Sequence, residues 1–157
     1  MNNFKPGDKA PQFSGKNQKG ETVTLDQFKG KKLILYFYPK DNTPGCTAES
    51  CSLRDGYELL RGKGFEVLGV SPDAEKSHQN FINKYELPFN LIADTEKVIL
   101  KAYNAWGMKK MYGKDYEGVL RTTYIINEKG LIEAVISKVN TKDHVDQILE
   151  EMGEVRN

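Results

Sequence analysis

At 157 residues, with 38% hydrophobic and 29% charged side chains, the chain has the composition of one globular domain rather than of a disordered or fibrous protein. Its 23 basic and 22 acidic residues nearly cancel and form no basic stripe, which argues against a nucleic-acid surface. The longest apolar run, Leu33 to Tyr38, is far too short to cross a bilayer, and the opening "MNNFKPGDKAPQF" lacks the apolar core of a secretory signal, so the expected location is the cytoplasm.

No repeat, low-complexity segment or linker interrupts residues 1–157, and a single domain is expected. The first thirty residues carry turn signals, "KPGDKAP", "SGKNQKGE" and "KG", around short extended pieces, with "ETVTL" the best strand candidate. "KLILYFYP" is a continuous apolar run ended by Pro39, which fits a buried central strand. Thr43 and Pro44 then read as the N-cap and first position of a helix. That helix carries Leu53, Tyr57 and Leu60 on one face, with Gly56 weakening its middle by ~1 kcal/mol relative to Ala. "FEVLGV" is a second buried strand. Ala74, His78, Phe81, Ile82 and Tyr85 have helical spacing. "FNLIAD" reads as a third strand, "EKVILKAY" as a short helix and "NAWGMKKMYGKDYEG" as a glycine- and aromatic-rich loop. "LRTTYIIN", the turn "EKG" and "LIEAVIS" carry a hairpin signal. Val145, Ile148, Leu149 and Met152 form the stripe of a last helix, with Thr141 as its N-cap and Gly153 past its end. The alternation predicts an α/β domain with a mixed central β-sheet flanked by helices and the N-terminal pieces as a β-hairpin extension; the order of elements is the thioredoxin-like pattern, which spacing alone does not separate from other small α/β folds.

The two cysteines, Cys46 and Cys51, stand five positions apart in "DNTPGCTAESC". In a reducing compartment such a pair is more often catalytic, redox-active or metal-bound than a structural staple. No Cys-x-x-Cys or His-x-x-x-His spacing supports a metal. Two buried structural thiols are the plain alternative. If the helix starts at Pro44, Cys46 lies in its first turn, where unpaired N–H groups and the helix dipole favour a thiolate. Thr43 can cap the helix and present its hydroxyl beside the sulfur. Gly45 permits close approach of backbone and ligand, and Pro39 closes the strand beside the site.

"YPKDNTPGC" places Pro39, Thr43 and Cys46 in the arrangement Pro-x-x-x-Thr-x-x-Cys, which resembles the peroxiredoxin active-site signature. Cys51 followed by "LRD" is similar to the peroxiredoxin Q, or bacterioferritin comigratory protein, subfamily. The likeness extends through "GDKAPQF", "VLGVSPD", Trp106 with Gly107, and "LRTTYIIN" to the closing helix. The resemblance implies a thiol peroxidase acting on hydroperoxides, with Cys46 as peroxidatic nucleophile and Cys51 as resolving thiol. It implies that Thr43 hydrogen-bonds thiolate and peroxide, that Pro39 covers the pocket, that Arg121 stabilises the thiolate and developing charge, and that Glu49 orients Arg121. It further implies a disulfide reduced by thioredoxin or a similar dithiol and no metal or organic cofactor; the charge balance and hydropathy noted above lead to the expectation of no nucleic-acid or membrane partner. A monomer is expected, since resolution within one chain needs no second subunit. Residues five apart in a helix lie ~140° apart around its axis with Cα atoms roughly 8.5 Å apart, beyond the ~7 Å that a disulfide spans. Bond formation therefore requires local unwinding.

Other chemistry-bearing residues read as ordinary. His78 sits on an apolar stripe and is expected to be a satisfied core or boundary histidine, whereas His144 is expected to be exposed. Tyr38 is packing. Trp106, Met108, Met111 and Tyr112 are either packing, an apolar wall for organic hydroperoxides or a docking surface. The competing functions are a thiol–disulfide oxidoreductase or binding module on the same fold, against which the missing Cys-x-x-Cys speaks, and a purely structural domain.

Overall fold

The computed structural model describes residues 4–153. Strand β3 (Lys32–Phe37) is the centre of a five-stranded sheet. It is flanked on one side by β4 (Phe65–Ser71) and β5 (Asn90–Ala93), both parallel to their neighbour, and on the other by antiparallel β8 (Thr122–Ile126) and β9 (Ile132–Ile136). The unbroken apolar run of β3 follows from burial of both faces. Leu33, Leu35 and Phe37 enter one core with Tyr103 and Tyr124; Ile34, Tyr36 and Tyr38 enter the other with Leu53, Phe81 and Ile148. Gly69 lies opposite Tyr36, and a Cβ there would come within 2.8 Å of the Tyr36 ring, so glycine lets the ring lie across β4. Strands β1 (Ser14–Lys16) and β2 (Thr22–Thr24) form the expected N-terminal hairpin. The fold is the thioredoxin-like α/β arrangement expected from the order of elements.

The helices are α1 (Pro44–Asp55), α2 (Tyr57–Gly62), α3 (Glu75–Tyr85), α4 (Val98–Ala102) and α5 (His144–Glu151). Three of these readings need correction. The helix expected to run through Tyr57 and Leu60 breaks at Gly56 into α1 and α2. Gly56 is buried, and an added Cβ would lie 2.6 Å from a Val145 methyl, so this glycine lets α5 press against α1. Gly56→Ala is expected to destabilise the protein by about 1–3 kcal/mol through that overlap, read as a lower urea midpoint. An unchanged midpoint would show that α5 shifts away freely.

The last helix starts at His144, not after Thr141. Its first two N–H groups, from His144 and Val145, reach Ser52 Oγ on α1 at 3.1 and 3.3 Å. The cap is thus supplied across the core rather than from the preceding chain. The stretch expected to be a loop is a hairpin of β6 (Trp106–Met111) and β7 (Lys114–Val119), in register from Trp106↔Val119 to Met111↔Lys114. Its turn residues Tyr112 and Gly113 both have positive φ, 53° and 76°, as a two-residue hairpin turn requires.

Candidate active site

The segment between β3 and α1 is pinned before it reaches Cys46. Asp41 is buried; its N–H donates to Asp73 Oδ2 at 2.7 Å. Its carboxylate accepts from Tyr38 Oη at 2.5 Å, Ser77 Oγ at 2.8 Å and His78 Nδ1 at 2.7 Å. His78 Nε2 faces Ile92 O at 2.9 Å, so His78 is the core histidine the stripe suggested. Asp41, Asp73 and His78 form a cluster of metal-ligand type, but Asp41 and Asp73 already accept protein donors that tie this loop to α3. Tyr38, read as packing, is both buried and part of this anchor.

Thr43 occupies the N-cap position in extended conformation and its carbonyl accepts the Thr47 N–H at 2.8 Å. Its side chain does not cap the helix. Oγ1 donates to Lys40 O at 2.8 Å, so its single proton is committed to the preceding turn and not to the sulfur. Pro39 is half-buried at the end of β3, on the same edge of the sheet. Cys46 lies in the first turn of α1 with 1% of its surface exposed, packed into the core that holds Tyr36, Tyr38 and Leu53.

Arg121 enters between β7 and β8 and bridges two groups of α1. Nη2 lies 3.2 Å from Cys46 Sγ, and Nη1 donates to Glu49 Oε1 at 2.7 Å. The planar fork of a guanidinium makes both contacts at once. A Cβ at Gly45 would lie 3.3 Å from Nη2, so glycine keeps the way open for the cation. Glu49 is fully buried, and burial pushes its carboxyl up to about 7 even with Arg121 pulling the other way. The fold therefore brings Cys46, Glu49 and Arg121 into direct contact, with Thr43 and Pro39 on the adjoining loop.

Cys51 is half-buried on the same helix, and both thiols are free. Its neighbours are anchored: Ser50 Oγ lies 2.9 Å from Tyr36 Oη, and Ser52 Oγ accepts the α5 N–H groups described above.

Two residues near the site escaped the sequence reading. His144 is completely buried, against the expectation of exposure. Its Nε2 lies 2.8 Å from Thr123 Oγ1 and 3.4 Å from Glu49 Oε2. The polar surroundings of "TKDHVD" hide this, because the burial comes from α1 and β8. Lys109 on β6 is half-buried; burial and the Arg121 charge lower its pKa, while Cys46 opposes them. Among the lysines of "MKKMYGK" nothing local distinguishes it. The apolar wall is not closed: Met108 and Tyr112 are 62% and 97% exposed, while Trp106 packs on the core and donates to Glu117 at 3.2 Å. The Met111 side chain lies outside the described residues. A groove of about 240 Å³ lined by Lys9, Leu25, Leu33 and Ile126 opens at the amino end of β3, at the opposite end of the sheet from Cys46.

A thiol held in a helix's first turn under an arginine fork, on a thioredoxin-like sheet, defines a peroxidase-type cysteine site, and comparison agrees. Residues 6–135 match the AhpC/TSA family, and the chain belongs to that family. Within it, the chain is similar to the Bcp peroxiredoxins. It is 42% identical over 149 residues to peroxiredoxin Bcp of Bacillus subtilis, covering 95% of each chain. It is 40% identical over 149 residues to peroxiredoxin Bcp of Escherichia coli, covering 95% of this chain and 96% of that one. A solved structure of the Xanthomonas campestris bacterioferritin comigratory protein, described for its alkyl peroxide reduction activity, superposes with a TM-score of 0.84 at 33% identity, covering 90% of each chain.

Proposed function

We propose that the chain is a thiol-dependent peroxidase that reduces hydrogen peroxide and organic hydroperoxides at Cys46. The observation that carries the reading is the Arg121 fork, with one arm on Cys46 Sγ and the other on buried Glu49. The cation favours the thiolate and stands where negative charge develops on the peroxide oxygens. The thiolate attacks the terminal peroxide oxygen. An S–O bond forms as the O–O bond breaks, the sulfur is oxidised to sulfenic acid, and the departing alkoxide or hydroxide takes up a proton. Thr43 can turn its hydroxyl from Lys40 O to the bound peroxide, and Pro39 limits access of bulk water from the strand side. Cys51 then attacks the sulfenic sulfur, expelling hydroxide and closing a disulfide. Thioredoxin or a similar dithiol restores both thiols by exchange. The cycle runs within one chain, which supports a monomer; its dependence on a dithiol reductant suits the reducing cytoplasm, and no step calls for a metal or organic cofactor.

Titration of the reduced protein with peroxide tests the reading. One equivalent is expected to be consumed, with mass spectrometry placing the first oxidation at Cys46. Slow consumption, or first oxidation at Cys51, overturns it.

A further inference from the structure

The buried ring of His78 meets acceptors on both sides. Nε2 lies 2.9 Å from Ile92 O, a carbonyl that only accepts, so Nε2 carries a hydrogen. Nδ1 lies 2.7 Å from Asp41 Oδ2. Turning the ring over would set carbon against both oxygens, so these two contacts fix its orientation. A hydrogen must also lie between Nδ1 and Oδ2, because a bare nitrogen and a bare carboxylate oxygen at that distance repel. Tyr38 Oη does not supply it: 3.5 Å from Nδ1, it donates its only hydrogen to Asp41 Oδ1. The surroundings place the shared hydrogen on the ring. Asp41 already accepts from Tyr38 and from Ser77 Oγ, which favours the carboxylate form. The half-buried Asp73 carboxylate stands within 4.8 Å of both partners, and a second negative charge there favours a cation on His78.

We propose that His78 is an imidazolium with a hydrogen on each ring nitrogen, and that its buried ion pair with Asp41 is the positioning device that holds the loop before α1, and with it Thr43, in place for peroxide. The catalytic consequence rests on the peroxidase reading; the charge on His78 does not. The charged and titratable groups facing the ring are Asp41 from the loop, Asp73 from the turn between β4 and α3, and Tyr38 from the end of β3. Taking both charges into the core costs desolvation, which the donors on Asp41 and the acceptor on each side of the ring offset. The pair reaches Thr43 through a short, rigid stretch of chain. The Asp41 N–H is held by Asp73 Oδ2 at 2.7 Å. Asn42 follows with a positive φ of 63°, and its Oδ1 accepts from Tyr85 Oη at 3.0 Å and Lys84 Nζ at 3.3 Å on α3. Thr43 Oγ1 then donates back to Lys40 O at 2.8 Å. The orientation of that hydroxyl is thereby set from α3, on the far side of the loop from Cys46. Without the ion pair, a buried carboxylate loses its charge partner and the loop loses the hold that aims Thr43.

The charge is measurable in the reduced protein with no peroxide present. Nitrogen-15 spectra at neutral pH are expected to show hydrogens on both ring nitrogens of His78, each exchanging slowly with water because the ring is buried. A bare Nδ1 or a bare Nε2 overturns the assignment whatever the protein does with peroxide. In Asp41→Asn, His78 is expected to lose the Nδ1 hydrogen and keep the one on Nε2; an imidazolium that survives this change overturns the pairing. The positioning role is read by stopped-flow mixing with hydrogen peroxide, set beside alkylation of Cys46 by iodoacetamide, which needs the thiolate but no aimed hydroxyl. In Asp41→Asn the peroxide rate constant is expected to fall about tenfold while the alkylation rate does not fall. Tyr38→Phe keeps the shape of the core and removes one donor to Asp41; about threefold is expected there by the same comparison, and this variant decides where Asp41→Asn fails to fold. Both rates falling together, or neither falling, overturns the positioning role. A wild-type protein that is alkylated at Cys46 yet inert to peroxide, with the imidazolium in place, sinks the peroxidase reading instead.

Discussion

Arg121→Lys is expected to lower the rate constant for peroxide about 10²- to 10³-fold while the protein remains folded. Lysine keeps the positive charge, so a purely electrostatic role would survive the change. It has one compact ammonium in place of a planar fork and cannot hold Cys46 Sγ and Glu49 Oε1 in the geometry seen at 3.2 and 2.7 Å. Misaligned donors no longer meet the charge that grows on the peroxide oxygens. Arg121 lies between strands rather than in the core of one, and is partly solvent-exposed, so the thermal midpoint should move only a few degrees. Turnover at the wild-type rate in a folded Arg121→Lys protein would remove Arg121 from the chemistry.

The second large effect is conformational. Cys46 and Cys51 both lie within the continuous helix α1, with both thiols free. A helical i, i+5 pair has Cα atoms roughly 8.5 Å apart, and a disulfide tolerates ~7 Å, so the proposed disulfide requires the helix to open. Amide hydrogen exchange across residues 44 to 56 is expected to accelerate at least ~10²-fold on oxidation, while β3, β4 and β8 change little, because a packed core resists deformation more than one helix does. In Cys51→Ser, consumption is expected to stop after about one equivalent of peroxide, leaving Cys46 as sulfenic acid that a dithiol protein does not recycle and that further peroxide over-oxidises. Equal protection in the two redox states would mean that the pair closes without unwinding, or that an outside thiol resolves Cys46.

Where the determinants are local, the sequence shows them. The β3 run is unbroken because both faces are covered, and Thr-Pro-Gly ahead of Cys46 announces a helix start whatever packs around it. Arg121 and Glu49 were legible through the family pattern alone; nothing in "VLRTT" or "TAESC" shows that they touch. The misreadings share a cause. His144 sits in a polar stretch, yet contacts with α1 and β8 bury it. Gly56 looks like a defect in a helix until Val145, far along the chain, is found against it. The β6–β7 hairpin was hidden because it turns on Tyr-Gly rather than Asn-Gly and lacks a clean apolar alternation. Lys109 feels the charges of Arg121 and Cys46 only because that hairpin exists.

Cys51 sits between two serines that are both engaged, Ser50 with the Tyr36 hydroxyl and Ser52 with the first N–H groups of α5. On the proposed chemistry, the sulfenic acid at Cys46 has two competing fates. Capture by Cys51 is unimolecular and goes no faster than these anchors release. Attack by a second peroxide is bimolecular and scales with oxidant concentration. The ratio of the two fixes the dose at which the enzyme destroys its own nucleophile. Two hydroxyls that never touch peroxide thereby set its toxic threshold, and a tighter grip on α1 trades resilience for order.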